Sequence, residues 1–313
     1  MDPAGVVSIG TACCKPSPQK ILRSLRAFSL PVSVLPVFLA VAVAVPPRQW
    51  DWLVLLVSAA GAGLLHLGGN LLNDYFDFLS GVDRPLHDDA GRPGRLLVTG
   101  QLKPRTILAE AIVCLAMAGT IAVYLAWRVG LGILAFQGAA LVMLYSYTGP
   151  PLRLKYRAMG ETVIFVVFGP LLMMGAAWAQ TQRLEVGVLL MSLPVGLATT
   201  AVLVGNNYRD REEDAQAGIR TLGRIAAGRL ARVLYAVFVI GATLLPAAWA
   251  ATGLAPVGLL LAPAALLLLA KPLAAMRRDQ RLADIDVQTA RFTALLLLMM
   301  WGAYVAHWLA TAQ

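Results

Sequence analysis

Long apolar runs, separated by short polar connections, dominate this chain. A helix rises 1.5 Å per residue, so about twenty apolar residues cross the roughly 30 Å of hydrocarbon in a bilayer. About nine runs are long enough to do so: residues 28–46, 52–72, 107–127, 130–148, 161–180, 187–206, 231–251, 255–271 and 291–311. Only two or three residues join 107–127 to 130–148, which predicts a tight helical hairpin. The pattern predicts an all-α, polytopic membrane protein with about nine transmembrane helices; the charge distribution and polar clusters described below add the expectation of a central cavity open to the cytoplasmic side. Residues 1–18 read as a disordered N-terminal extension and 19–313 as a single transmembrane domain.

Composition agrees with the pattern. Of 313 residues, 58% are hydrophobic and only 14% charged, where a soluble chain carries about 25% charged residues. Mean hydropathy is +0.70. With the N-terminus in the cytoplasm, all but Arg48, Arg128 and Arg183 of the 26 Lys and Arg residues fall on the cytoplasmic side of the predicted spans. That asymmetry is what the positive-inside rule requires, and it puts the C-terminus outside. The net charge of +9 is therefore a product of topology, and no nucleic-acid partner is needed to explain it. Before Lys20 there is no continuous apolar core of the kind a cleavable signal peptide needs. Cys13, Cys14 and Cys114 form no metal or disulfide pattern.

Against this background two polar clusters stand out. Residues Asn70, Asn73, Asp74 and Asp77 close one apolar run, followed by Gly81 and Asp83. Residues Asn206, Asn207, Arg209, Asp210 and Asp214 close another. Counted from His66, the residues Asn70, Asn73, Asp74 and Asp77 fall at offsets of 4, 7, 8 and 11, which is one helix face. Asn206, Asp210 and Asp214 are spaced by four. Carboxylates inside a membrane are costly and mark function. Stacked on one face they repel each other unless cations lie among them. Mg²⁺ takes oxygen ligands and is commonly completed by substrate phosphates, so two such clusters facing each other fit a diphosphate. Lys155, Arg153 and Arg209 supply positive charge for the remaining phosphate oxygens. Tyr145 and Tyr147, ahead of the helix stop at Gly149-Pro150-Pro151, and the Phe168-Gly169-Pro170 kink, offer aromatic walls for an isoprenoid chain. Asp88, Asp89, Glu212, Glu213, Asp279, Asp284 and Asp286 read as solvated loop charges. His66 reads first as a packed histidine, although it lies on the polar stripe.

These motifs resemble the intramembrane UbiA-type prenyltransferases over nearly the whole chain. Asn73-Asp74-Tyr75-Phe76-Asp77 is similar to the family's first aspartate motif, and Asp210-Arg211-Glu212-Glu213-Asp214 to the second. The Asp77–Asp83 spacing resembles the branch that prenylates 1,4-dihydroxy-2-naphthoate in menaquinone synthesis. So do the run from Asn206 to Thr221-Leu222 and the middle segment Tyr147-Thr148-Gly149-Pro150, Lys155-Tyr156 and Gly160-Glu161. The 84–105 connection and Gly223-Arg224 depart from that branch. The resemblance implies that Asp77, Asp83, Asp210 and Asp214 bind Mg²⁺–diphosphate, with Asp74 in the same motif. It implies that Asn73 and Asn206 position metal or diphosphate, and that Arg209 and Lys155 neutralise it. On this reading Asn73, Asp77, Asp210 and Lys155 are catalytic, while Asn70, Asn206, Arg209, Arg153 and Tyr147 contact substrate.

The expected reaction is Mg²⁺-dependent transfer of a polyprenyl group from its diphosphate to an aromatic acceptor. With 1,4-dihydroxy-2-naphthoate, decarboxylation would give demethylmenaquinone, in a bacterial cytoplasmic membrane. Two other readings stay open. One keeps the chemistry but changes the acceptor, to 4-hydroxybenzoate, homogentisate or similar. The other is a cation-coupled transporter, which should carry polar groups along a through-path; the last three spans are almost wholly apolar.

Overall fold

The computed structural model describes residues 17–83, 96–216, 218–222, 228–280 and 282–311. The N-terminal extension up to residue 16, with Cys13 and Cys14, lies outside the described residues. So do Asp88 and Asp89, most of the 84–105 connection, and Gly223-Arg224.

The described chain is helical. In order, the helices are α1 Pro18–Ser24, α2 Pro31–Ala44, α3 Trp52–Leu79, α4 Pro104–Val129 and α5 Ile133–Thr148. They continue as α6 Gly160–Thr181 and α7 Val186–Arg209, then the short α8 Arg211–Gln216 and α9 Arg229–Ala251. The last two are α10 Val257–Arg277 and α11 Ile285–Thr311. Among the described residues seven helices are long and apolar enough to cross a membrane: α3, α4, α6, α7, α9, α10 and α11. The chain is an integral membrane protein by that measure. The other two expected spans are shorter. The 28–46 run is a 14-residue helix, α2, bent by 44° from the segment before it. Arg26 in the left-handed region (φ 51°) and Pro31 at the helix start break the run. The 130–148 run becomes the 16-residue α5, stopped at Gly149 ahead of two prolines.

α3 differs from expectation in the other direction. It runs seven residues past the predicted end at 72, to Leu79, so the first acidic cluster lies on the helix itself. Its end is a Schellman turn: Gly81 N–H donates to Phe78 O and Val82 N–H to Asp77 O. The turn needs a left-handed residue, and Gly81 (φ 69°) provides it without strain. The chain then doubles back, and Asp83 returns to the side where Asp77 stands.

α2 packs against α3, α6, α7 and α11, and α7 against α6, α9 and α11. α7 is the most enclosed span, with 56% of its apolar window buried against 22% for α4. The peripheral helices turn large apolar residues outward, such as Val123 and Trp127 of α4 and Leu267 of α10. In a bilayer these face lipid and carry no penalty. α6 and α7 meet closely at Gly169 and Gly196. A Cβ on Gly169 would come 2.8 Å from Ser192 O, and one on Gly196 would come 2.8 Å from the Phe165 ring. Pro170 lacks an N–H, and α6 answers by widening into a π turn over Val167–Leu171. The widened turn contributes Val167, Phe168 and Leu171 to a cavity wall.

Candidate active site

A cavity of about 640 Å³ opens among α2, α3, α4, α5, α6, α7 and the start of α11. Its polar end holds both sequence clusters. From α3 come Asn70, Asn73, Asp74 and Asp77, followed by Asp83. From α7 and α8 come Asn206, Arg209, Asp210 and Asp214. Tyr147 of α5 and Lys155 complete the residues anticipated there. Its apolar end is walled by side chains such as Leu125, Ile133, Phe136 and Leu172. Arg153 does not line the cavity. It is an exposed residue at φ 47° that starts the 3-10 turn Leu154–Tyr156.

The connection from α5 to α6 brings Lys155 in. Ala158 N–H donates to Arg220 O at 2.9 Å, and Arg220 N–H donates to Tyr156 O at 3.3 Å. These bonds stitch the connection to the segment after α8. Lys155 Nζ donates to Asp77 Oδ2 at 2.5 Å and to Asn73 Oδ1 at 3.2 Å. Tyr156 OH donates to Asp77 Oδ1 at 2.5 Å. Both Asp77 oxygens are thus engaged, and the carboxylate is only 3% exposed. Burial pushes the Lys155 ammonium down, but Asp77 more than reverses this and holds it charged, above its ordinary range. Burial and the Asp77 charge push the Tyr156 phenol up, so it stays a donor. Asp74, also 3% exposed, pairs with Arg26 from the segment between α1 and α2.

The second cluster does not form one unbroken helix. α7 ends at Arg209, Asp210 caps it, and Asp214 rides on α8. The spacing by four survives because Asp210 N–H donates to Asn206 O and Asp214 N–H to Asp210 O, each at 2.9 Å. Arg209 grips its own neighbour, Nε to Asp210 Oδ1 at 2.7 Å and Nη2 to Oδ2 at 2.8 Å. Its Nη1 also lies 2.9 Å from Asp286 Oδ1. Burial pushes the Asp214 carboxyl up to about 6. Thr221, donating to Oδ2 at 2.6 Å, and Lys155 pull it back, while the charges of Asp210 and Asp77 push it further. Asp214 therefore feels both clusters at once.

Sequence reasoning missed several members. Arg26 counted only as a basic residue before the first span. Tyr156 was a motif letter with no role. Asp284 and Asp286 read as solvated, yet both line the cavity and Asp286 pairs with Arg209. Asp279, read the same way, is indeed exposed and lies outside the cavity, where it accepts from Tyr208 OH at 2.5 Å and lies 3.0 Å from Arg232. Nothing in the spacing of Arg26, Asp284 or Asp286 relates them to the clusters; only the fold brings them there.

The donor chemistry fits Mg²⁺. The available groups are carboxylate and amide oxygens, and Asn206 Oδ1 is buried with no partner. Among the described residues no three His, Cys, Asp or Glu side chains converge closely enough to hold a metal by themselves. A cation here takes further oxygens from ligand or water.

The UbiA prenyltransferase family pattern matches residues 33–302. The chain is 31% identical over 294 residues to a 1,4-dihydroxy-2-naphthoate octaprenyltransferase of Mycobacterium tuberculosis, covering 92% of this chain and 96% of that one. It is 37% identical over 220 residues to UbiA prenyltransferase domain-containing protein 1 of Gallus gallus, covering 68% of this chain. The chain spans 64% of that vertebrate relative's length. In fold it is similar to a UbiA homolog from Archaeoglobus fulgidus bound to GPP and Mg2+, with a TM-score of 0.62 at 14% identity, covering 92% of this chain and 99% of that one. The chain belongs to the UbiA prenyltransferase family.

Proposed function

We propose that this membrane protein transfers a polyprenyl group from its diphosphate to an aromatic acceptor, best matched by 1,4-dihydroxy-2-naphthoate. The observation that carries this reading is the shared cavity mouth, where two acidic clusters and Lys155 surround a space continuous with an apolar chamber. The acceptor assignment is supported by the similarity to the M. tuberculosis enzyme across most of both chains. We further propose nine crossings, with α2 and α5 completing the set, the N-terminus and cavity mouth on the cytoplasmic side, and the C-terminus outside.

Asp77, Asp83, Asp210 and Asp214, with Asp74 beside them, would hold Mg²⁺, and Asn73 and Asn206 would orient the diphosphate. Mg²⁺ supplies charge neutralisation to a departing diphosphate. Three of these carboxylates are balanced from within the chain: Asp74 by Arg26, Asp77 by Lys155, Asp210 by Arg209. Binding a diphosphate releases those bases to the phosphate oxygens, where Lys155 and Arg209 stabilise charge as the C–O bond breaks. The allylic cation then lies in a chamber walled by Phe136, Tyr147 and Phe168, away from water. Asn70, one turn deeper than Asn73, would meet the acceptor.

The test uses membranes containing the chain, assayed with geranylgeranyl diphosphate, Mg²⁺ and a panel of phenolic acceptors. Product from dihydroxynaphthoate that disappears in Asp77→Ala and Asp210→Ala is expected. Unchanged turnover in those variants, or no product with any acceptor, would sink the reading.

A further inference from the structure

His66 is left without a task by that scheme. It lies on α3 eleven residues before Asp77, about 16 Å deeper along the helix, and lines the cavity. Its Nε2 is 3.2 Å from Ser29 Oγ. The Ser29 hydroxyl already donates its single proton to Arg26 O at 2.9 Å. Asn70 Nδ2 donates to the same oxygen at 3.4 Å. Toward His66, then, Ser29 accepts, and the imidazole hydrogen sits on Nε2. The other nitrogen, Nδ1, is left as a lone pair. It is buried and has no partner. Phe168 packs edge-on against the ring at 5.2 Å and brings no polar group.

A buried acceptor without a donor calls for an explanation. The group that satisfies it must carry a proton, which excludes an ionised carboxylate and a diphosphate oxygen, while a phenolic acceptor brings a hydroxyl. Resting on the acceptor class proposed above, we propose that His66 Nδ1 accepts the ring hydroxyl of the aromatic acceptor and takes its proton during transfer. The ring carbon's electron pair forms the bond to the allylic carbon, and the C–O bond to diphosphate breaks with its pair leaving on the diphosphate. The hydroxyl proton moves to Nδ1, so the ring oxygen becomes a carbonyl and the ring stays uncharged. Loss of carbon dioxide from the substituted carbon returns electrons to the ring, and the oxygen recovers its proton from the imidazolium. Ser29 is a positioning residue that fixes the tautomer through Nε2.

The experiment compares kcat/KM for 1,4-dihydroxy-2-naphthoate with that for each of its two mono-methyl ethers, using the full chain in membranes. A site built to bind a hydroxyl rejects the capped analogue by about a hundredfold or more. Wild type is expected to discriminate against one ether to that degree. His66→Phe is expected to bring the ratio close to one, while the KM for geranylgeranyl diphosphate changes less than about twofold. His66→Gln, which retains an acceptor oxygen, is expected to recover part of the ratio, and it serves if the Phe variant does not accumulate. A merely structural histidine lowers both rates in proportion and leaves the ratio unchanged. That outcome, which a buried water at Nδ1 would also give, overturns the proposal, as does a wild type that accepts both ethers. A wild type inactive with every acceptor fails the reading of function instead.

Discussion

The acidic clusters on α3 and on α7–α8 look alike in sequence but are balanced by different means. Asp74 and Asp77 are buried and take their bases from 48 and 78 residues away. Asp210 is half-open, its side chain 28% exposed, and takes its base from the adjacent residue. Asp214 takes a hydroxyl from seven residues on. The first cluster is therefore an assembly point, where the α1–α2 break and the α5–α6 connection are both anchored. The second balances its carboxylates from nearby in the chain, while its longer links run from Arg209 to Asp286 and Ala283 O and from Asn207 to Glu161. Burial decides the energetic consequence. An uncompensated charge in a dry site is far more costly than one that water can reach.

The sharpest way to break this comparison is to remove one base from each cluster. Lys155→Met should destabilise the ligand-free protein by about 3–5 kcal/mol, because the buried Asp77 loses its counter-charge and keeps only the Tyr156 hydroxyl. Arg209→Met should cost only about 1–2 kcal/mol, since Asp210 reaches solvent. Thermal unfolding of detergent-solubilised protein checks both, and equal losses would erase the distinction. The double variant Lys155→Met with Asp77→Leu should recover most of that stability while activity stays absent, separating balance from chemistry. A smaller effect concerns pH. Asp214 titrates near 6 when folded, above its unfolded value of about 3.8. Its neutral form is thus favoured by folding, a contribution present below about 3.8 and lost as pH rises through 6. Asp214→Asn should therefore stabilise the ligand-free protein more at pH 8 than at pH 4. Smallest of all, Arg153→Ala should change kcat/KM by less than about twofold, because the residue is exposed and outside the cavity.

The same contrast explains what could be read from the chain. Apolar runs and spacing by four are local, so seven of the nine expected spans and both clusters were legible. Arg26, Asp284 and Asp286 were not, since their relation to the clusters exists only after α2, α3, α7 and α11 have packed. The extension of α3 to Leu79 was hidden because the charges of Asp74 and Asp77 look like the end of a span. They are tolerated there because Arg26, Lys155 and Tyr156 cover them. The Schellman turn at Gly81 was present in sequence as a glycine between two aspartates, but its role in returning Asp83 needed the backbone.

The central claim is that two unlike clusters act as one diphosphate site. A double-mutant cycle on binding of geranylgeranyl thiodiphosphate with Mg²⁺, measured calorimetrically for wild type, Asp77→Asn, Asp214→Asn and the double variant, tests it most directly. The account predicts strong non-additivity, with each single substitution weakening binding nearly as much as both together. Independent, additive losses would contradict it.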